Sequence, residues 1–283
     1  MSPNLSIEKR FLALPDGASL HYVEHGQRCA SKPSILMLHS LFFDASMFLP
    51  VIQSLQETWH IICPDHRTQG TSSSGKQPPT MRQLADDCIF LINHLGLDSI
   101  HIVGSSMGGY VAQELMQQSP AIIKSAVLSC CTAEAEQQKQ RFDELENRLR
   151  NNGGAPYVET LLQTMFGDTF LQSSSPEVRT QRDHWANHFS QLPNQVADAV
   201  NGVFSRPDYQ AHLPSNTIPH LLISGALDRA KKPADMERMH TLLPDSQHVV
   251  FEQSGHTPPV ECPAAFAQQL ETFWNLIHSR CKD

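Results

Sequence analysis

Short apolar runs alternate with longer helix-like patterns along most of this chain. The runs "SILMLHS", "WHIICPDHR", "SIHIVGSS" and "IKSAVLSCC" have the length and composition of buried strands. Apolar residues recur every three or four positions in "DASMFLPVIQSLQ" and "MRQLADDCIFLINHLG", as they do on one face of an α-helix. Because parallel strands require crossover connections, this order predicts a mostly parallel sheet with helices on both faces.

The alternation is interrupted between residues 132 and 216. Segments such as "EAEQQKQRFDELENRLR" and "PYVETLLQTMFG" predict helices there, and strand-like runs resume at "HLLISGALD" and "SQHVVFEQ". We therefore expect a core formed by residues 1–131 and 217–283, with residues 132–216 inserted as an all-helical lid. At the start of the chain, "PDG" between "RFLAL" and "SLHYVEHG" predicts a β-hairpin.

Composition excludes several classes of partner. A formal net charge of -8 argues against nucleic acid and against an anionic membrane surface. The sequence has no apolar run of about 18 residues and no signal-like N-terminus. The seven cysteines are scattered and odd in number, which is typical of reduced thiols in a cytoplasmic protein.

The stretch "IHIVGSSMGGY", residues 100–110, ends a strand-like run in a glycine-rich turn that opens a helical pattern. It matches G-x-S-x-G with Ser106 as the serine, in the strand–turn–helix context that a nucleophile elbow requires. Gly104, Gly108 and Gly109 supply the room that such a sharp turn needs. The alternative is an ordinary small-residue turn between a strand and a helix. The pattern with its flanking elements favours Ser106 as a nucleophile, with Ser105 at the variable position.

A nucleophilic serine needs a base, and the base needs an acid that orients it. Asp228 follows the run "LLISG", and His256 follows "VVFEQSG", so both fall just after predicted strands and in the order Ser, Asp, His. A histidine taken alone is more often structural, and the chain has fifteen. Asp235 also follows the first run but lies within the next helical pattern. The joint placement predicts a Ser106–His256–Asp228 triad.

Two backbone N–H groups are expected to stabilise the oxyanion of such a reaction. One is that of Met107, the residue after the nucleophile, and the other is that of Leu41 in the loop "LMLHSLFFD". His39, in the same loop, is expected to be a buried structural histidine bonded to the backbone.

These motifs resemble the small lidded α/β-hydrolase-fold enzymes. The residues that carry the resemblance are "LMLHSLFFDASMF", "PDHRTQG", "GSSMGGYVAQELMQQSP", "SGALD" and "SGHTPPVECPAAF", which span almost the whole chain except the insert. "HSLFFDASMF" and "GSSMGG" are most similar to the branch of 3-oxoadipate enol-lactonases and small carboxylesterases. The resemblance implies an eight-stranded, mostly parallel sheet, the triad and oxyanion hole named above, and no cofactor.

The expected activity is hydrolysis of a small-molecule carboxylic ester or lactone through an acyl-enzyme. Alternatives within the resemblance are a pimeloyl-type acyl-carrier-protein methyl ester carboxylesterase and a carbon–carbon bond hydrolase. Two positions depart from the usual pattern: His-Gly is replaced by His39-Ser40, and Arg-Gly-x-Gly by "RTQG", with Thr68 at the first glycine. Both departures leave the shape of the oxyanion loop open.

Substrate choice is expected to depend on the insert. Its candidate substrate-binding residues are Phe142, Phe166 and Trp185. Five arginines are either solvated and paired with nearby acids or form a surface that docks an acidic acyl carrier protein: Arg141, Arg148, Arg150, Arg179 and Arg182. His184 and His188 lie four residues apart, but no complementary ligand set accompanies them, so no metal site is predicted.

Overall fold

The computed structural model describes residues 8–26, 28, 32–55, 57–137 and 139–280, without the side chains of residues 8, 9 and 139–141. Within those residues one sheet contains eight strands, in the order β1-β2-β4-β3-β5-β6-β7-β8. The first two strands are antiparallel to their neighbours, and the other strands pair in parallel. The strands are Glu8–Ala13 (β1), Ser19–His25 (β2), Ser34–Leu38 (β3), His60–Pro64 (β4), Ile100–Ser105 (β5), Ile123–Ser129 (β6), His220–Gly225 (β7) and Ser246–Phe251 (β8).

The sheet is covered on both faces, as the alternating pattern predicts. Every residue of β3, β4, β5 and β7 is buried, so side chains of both orientations meet packed helices. Helix α1 packs against α11, α2 against α3, and α9 against β7 and β8. The helices are Leu49–Leu55 (α1), Met81–His94 (α2), Met107–Gln118 (α3), Lys139–Asn152 (α4), Val158–Met165 (α5), Asp168–Leu171 (α6), Pro176–Ser190 (α7), Val196–Phe204 (α8), Pro233–Leu242 (α9), Pro258–Glu261 (α10) and Pro263–Arg280 (α11).

The chain between β6 and β7 contains helices α4 to α8 and, among the residues described, no strand. One boundary predicted from the sequence is wrong, because the helix expected from Glu134 begins at Lys139. The residues before it are drawn into a loop by long-range bonds: the Glu134 carbonyl accepts from Arg206, and the Ala135 N–H donates to Asp208. The Ala135 N–H is thereby paired, whereas a first helical turn would leave it without an intrahelical acceptor.

The smaller elements follow their local sequence signals. The hairpin β1–β2 turns at "PDG", and α2 begins at Thr80, whose hydroxyl accepts from the Gln83 N–H at 3.1 Å. Asp44 caps the short 3₁₀ turn that precedes α1, accepting from the Ser46 N–H at 2.9 Å. In the described part of the chain, no helix is long and apolar enough to cross a membrane.

Several histidines are buried in this fold. Burial lowers the pKa of His101 and of His220 from 6.5 to about 4. Burial likewise lowers the pKa of His25, His39 and His66. These side chains are therefore neutral in the folded chain at neutral pH, and protonating them opposes folding.

We expect the free energy of unfolding to fall as the pH drops from about 6.5 to about 4, because the unfolded chain binds protons that folded His101 and His220 exclude. Each contributes up to about 1.4 kcal/mol per pH unit within that window. Urea unfolding across the window measures the slope. His220→Gln should make the slope shallower, whereas His94→Gln, at an exposed position on α2, should not change it. Equal slopes for His220→Gln and the wild type would contradict this account.

Candidate active site

Ser106 lies at a sharp turn between β5 and α3, at the carboxyl end of the central strand. Its backbone has φ 49° and ψ -108°, an unfavourable conformation for a residue with a Cβ, which costs about 1–3 kcal/mol. Hydrogen bonds fix this conformation from both sides. The Ser106 N–H donates to the Ser129 carbonyl at 2.7 Å, and the Ser106 carbonyl accepts from the Gly109 N–H at 2.9 Å.

Two glycines make the turn possible because the backbone passes too close for any side chain. A Cβ on Gly108 would lie 2.0 Å from the Leu38 carbonyl oxygen, and a Cβ on Gly104 would lie 2.4 Å from the Gly108 carbonyl oxygen. The start of α3 is thereby pressed against β3 and β5. The two glycines of the G-x-S-x-G pattern are required because a larger residue at either position would overlap the neighbouring backbone, as the sequence predicts.

His256 and Asp228 complete a hydrogen-bonded chain from Ser106. The His256 Nε2 lies 2.8 Å from the Ser106 Oγ, and its Nδ1 lies 2.7 Å from the Asp228 Oδ2. All three side chains are buried, with relative exposures of 8% for Ser106, 1% for Asp228 and 3% for His256. The structure therefore brings together the three residues that the sequence predicts, in the connectivity that a base and its orienting acid require.

The second oxygen of Asp228 has backbone partners. Its Oδ1 accepts from the Ala230 N–H at 2.7 Å and from the Lys231 N–H at 2.9 Å. These bonds fix the carboxylate plane and leave Oδ2 for His256. Asp235, the competing acid, instead belongs to α9, where it accepts from the Lys232 N–H at 2.8 Å.

Glu261, a half-buried carboxylate that the sequence did not single out, secures the loop that carries His256. Glu261 accepts from the Gly255 N–H at 2.9 Å, the Thr257 N–H at 3.0 Å and the Gly167 N–H at 2.8 Å. Burial raises the pKa of Glu261, and the backbone donors oppose that shift. The carboxylate thus ties residues on both sides of His256 to the helical segment between β6 and β7.

The loop after β3 contains Leu41, whose N–H is the second expected oxyanion donor. Among the described residues, neither the Leu41 N–H nor the Met107 N–H has a hydrogen-bond acceptor. Both residues are buried, with Met107 at the N-terminus of α3. His39 has the structural role expected of it, since its Nε2 accepts from the His66 N–H and its Nδ1 donates to the Ser40 carbonyl.

The two departures from the usual motifs, at Ser40 and Thr68, leave buried hydroxyls unpaired within the described residues and, at Thr68, strain the backbone. Ser40 and Thr68 are both buried, and no hydrogen-bond partner for either hydroxyl exists among the residues described. Thr68 has φ 68°, in the left-handed region that a β-branched residue rarely adopts. That angle explains why glycine is the usual residue at its position.

Aromatic residues of the helical segment contact the loop after β3. The centroid of the Phe43 ring lies 4.6 Å from that of Trp185 and 6.0 Å from that of Phe166. Phe142 is not part of this group, because it stacks on Phe204 at 3.4 Å between α4 and α8. Two of the three candidate substrate-binding residues are therefore brought together and the third is not.

The candidate docking arginines are mostly engaged within the chain. Arg148 pairs with Glu144, and Arg150 pairs with Glu146 and with Asp198. Such exposed pairs neutralise the charge that an acidic partner would need. The remaining arginines differ: Arg182 donates to the Leu171 carbonyl, Arg179 is exposed, and the side chain of Arg141 lies outside the described residues.

The described residues contain one cluster with metal-ligand chemistry, formed by Cys130, Asp228 and His256. Its carboxylate and imidazole already bond to each other, and burial raises the pKa of the Cys130 thiol well above its usual value. The set therefore lacks a thiolate and a free imidazole nitrogen, and fits a zinc ion poorly. His184 and His188 share α7, but His188 bonds to the Phe42 carbonyl instead.

A sequence model of the alpha/beta hydrolase fold family matches residues 33–262. The chain belongs to the α/β-hydrolase fold family. The 3-oxoadipate enol-lactonase 2 of Acinetobacter baylyi is 28% identical over 253 residues, which is 89% of this chain and 92% of that protein. The provisionally named carbamate hydrolase RutD of Agrobacterium fabrum is 25% identical over 260 residues, which is 90% of this chain and 97% of that protein. A thermophilic esterase from Thermogutta terrifontis superposes with a TM-score of 0.87 at 26% identity, covering 96% of this α/β-hydrolase and 99% of that chain.

Replacing Asp228 by Asn should leave the fold intact but reverse the orientation of the hydrogen bond to His256. The Ala230 and Lys231 N–H groups will hold the amide oxygen, so that the amide NH2 faces Nδ1 and the proton moves to Nε2. We expect kcat for p-nitrophenyl acetate to fall by about 10⁴-fold, because Nε2 can no longer accept the serine proton. Asp235→Asn is the matched control and should retain activity. A nearly active Asp228→Asn enzyme would rule out the expected role.

Proposed function

We propose that this α/β-hydrolase is a serine hydrolase that cleaves a carboxylic ester or lactone through an acyl-enzyme. The observation that carries the proposal is the continuous chain of hydrogen bonds from Ser106 through His256 to Asp228, with distances of 2.8 and 2.7 Å. A hydroxyl bonded to an imidazole that is itself oriented by a carboxylate is an activated nucleophile. The near-full-length relatives named for lactone and ester chemistry support this class.

In the proposed reaction, His256 Nε2 accepts the Ser106 proton while Oγ bonds to the substrate carbonyl carbon. The carbonyl oxygen becomes an oxyanion, which the N–H groups of Leu41 and Met107 stabilise. Asp228 stabilises the imidazolium. The intermediate collapses as His256 donates the proton to the leaving alkoxide, and water activated by the same histidine then releases the acid.

We further propose that residues 132–216 form a lid over this site. Support comes from contacts near the reacting groups: Phe166 and Trp185 pack on Phe43, close in sequence to Leu41. The Thr257 hydroxyl, next to His256, donates to the Met165 carbonyl at 2.9 Å. Phe166 and Trp185 are therefore the residues of the segment that we assign to the apolar part of the substrate.

The role of Ser106 is tested against its neighbour. Ser106→Ala should lower kcat for p-nitrophenyl acetate by at least about 10⁴-fold, because no other hydroxyl in the described part of the chain is bonded to His256. Ser105→Ala should retain most of the activity, since the buried Ser105 hydroxyl has no hydrogen-bond partner among the residues that the structure describes. A fluorophosphonate probe should label the wild type and Ser105→Ala but not Ser106→Ala. A folded wild-type protein that neither reacts with the probe nor hydrolyses the ester would contradict the proposal.

Carbamate hydrolysis is the second candidate, because a relative of 25% identity carries that name. Nitrogen donation makes a carbamate carbonyl less electrophilic than that of an ester. We expect kcat/KM for an aryl ester and for an enol-lactone to exceed that for the matched aryl carbamate by at least about tenfold, or about 1.4 kcal/mol. A higher value for the carbamate would reassign the substrate class without affecting the triad.

A further inference from the structure

The loop after β3 contains a strained residue next to the expected oxyanion donor. Phe42 has φ 74°, in the left-handed region that is unusual for a bulky side chain. A conformation of this kind persists only where neighbouring groups hold it. Leu41 directly precedes Phe42, so the groups that hold Phe42 also restrain the peptide that carries the Leu41 N–H.

The loop is held first by the core. The Ser40 carbonyl, in the same peptide unit as the Leu41 N–H, accepts from His39 Nδ1 at 2.8 Å and from the Phe43 N–H at 3.2 Å. The Phe42 N–H donates to Gln69 Oε1 at 2.8 Å. The Nε2 of this buried glutamine lies 3.5 Å from the sulfur of Met107. Gln69 therefore links the segments that provide both oxyanion donors.

The Phe42 carbonyl, on the other side of that residue, is held by a helix of the segment between β6 and β7. His188, on α7, has its Nε2 at 3.0 Å from the Phe42 carbonyl oxygen. A carbonyl only accepts, so this nitrogen carries the proton and donates. On the same helix, Trp185 and Phe189 pack on the next residue, Phe43, with ring centroids at 4.6 and 5.3 Å.

We propose that His188 is a positioning residue, and that docking of α7 through it sets the direction of the Leu41 N–H in the oxyanion hole. Gln69 is its counterpart on the core side. Helix α7 belongs to the segment that we propose as the lid, so this segment supports the oxyanion loop through His188. This inference rests on the proposed function.

The test removes the bond and then restores it. His188→Leu should lower kcat for p-nitrophenyl acetate by about 10- to 100-fold with KM changed less than about twofold, because the donors act on the transition state rather than on the bound ester. His188→Gln, which keeps an N–H donor, should recover most of the loss. His184→Leu, at the exposed position one turn earlier on α7, is the matched control and should retain wild-type kinetics.

A second measurement separates positioning from stability. The affinity of a trifluoromethyl ketone, whose adduct places an oxyanion in the hole, should fall in His188→Leu by the same factor as kcat/KM. If His188→Leu does not fold, Gln69→Met should give the same pattern, because it removes the acceptor for the Phe42 N–H.

The outcomes are distinct. An unchanged kcat in folded His188→Leu, a change in KM alone, or a His188→Gln enzyme as slow as His188→Leu would overturn this inference while leaving the triad untouched. A wild-type protein that hydrolyses none of the esters would instead refute the proposed function.

Discussion

The close approach of α3 to β3 and β5 is the constraint on which the site depends. It exists because Gly104 and Gly108 leave no Cβ between the backbones, and it forces Ser106 into a left-handed conformation. That conformation projects the hydroxyl from the carboxyl edge of the sheet. The turns after β7 and β8 reach the same edge, which is why Asp228 and His256 lie within hydrogen-bond distance of one another and of the serine.

Two carboxylates, those of Asp228 and Glu261, hold these turns by accepting hydrogen bonds from backbone N–H groups. Asp228 accepts hydrogen bonds from two backbone N–H groups in addition to that from His256. Glu261 accepts from three backbone N–H groups, two in the His256 loop and one, that of Gly167, in the helical segment. Each carboxylate satisfies donors that a tight turn would otherwise bury unpaired. Most hydrogen bonds of these carboxylates therefore fix the shape of the turns. The proposed chemistry uses only Oδ2 of Asp228, which bonds to His256, and Nε2 of His256, which bonds to Ser106.

The helical segment after β6 contributes to the site through a few contacts. Its aromatic rings reach Phe43, and the backbone around Met165 to Gly167 meets the His256 loop. These contacts place the proposed substrate-binding surface beside the oxyanion loop. Because function depends on the site and not on the fold alone, we expect the inserted helices to determine substrate choice.

The sequence alone predicted the sheet, its helical cover, the elbow and the order of Ser106, Asp228 and His256, because these follow from local periodicity and from motifs within a few residues. Only the tertiary structure shows that Gln69 and His188 both form hydrogen bonds to the Phe42 backbone. It alone also shows that Glu261 secures the His256 loop and that Phe142 packs away from Trp185. Those contacts join residues far apart in the chain, and no local pattern records which side chains a fold will bring together. The "RTQG" departure is at Thr68, and nothing in the sequence singled out the neighbouring Gln69, whose bond to the Phe42 N–H appears only in three dimensions.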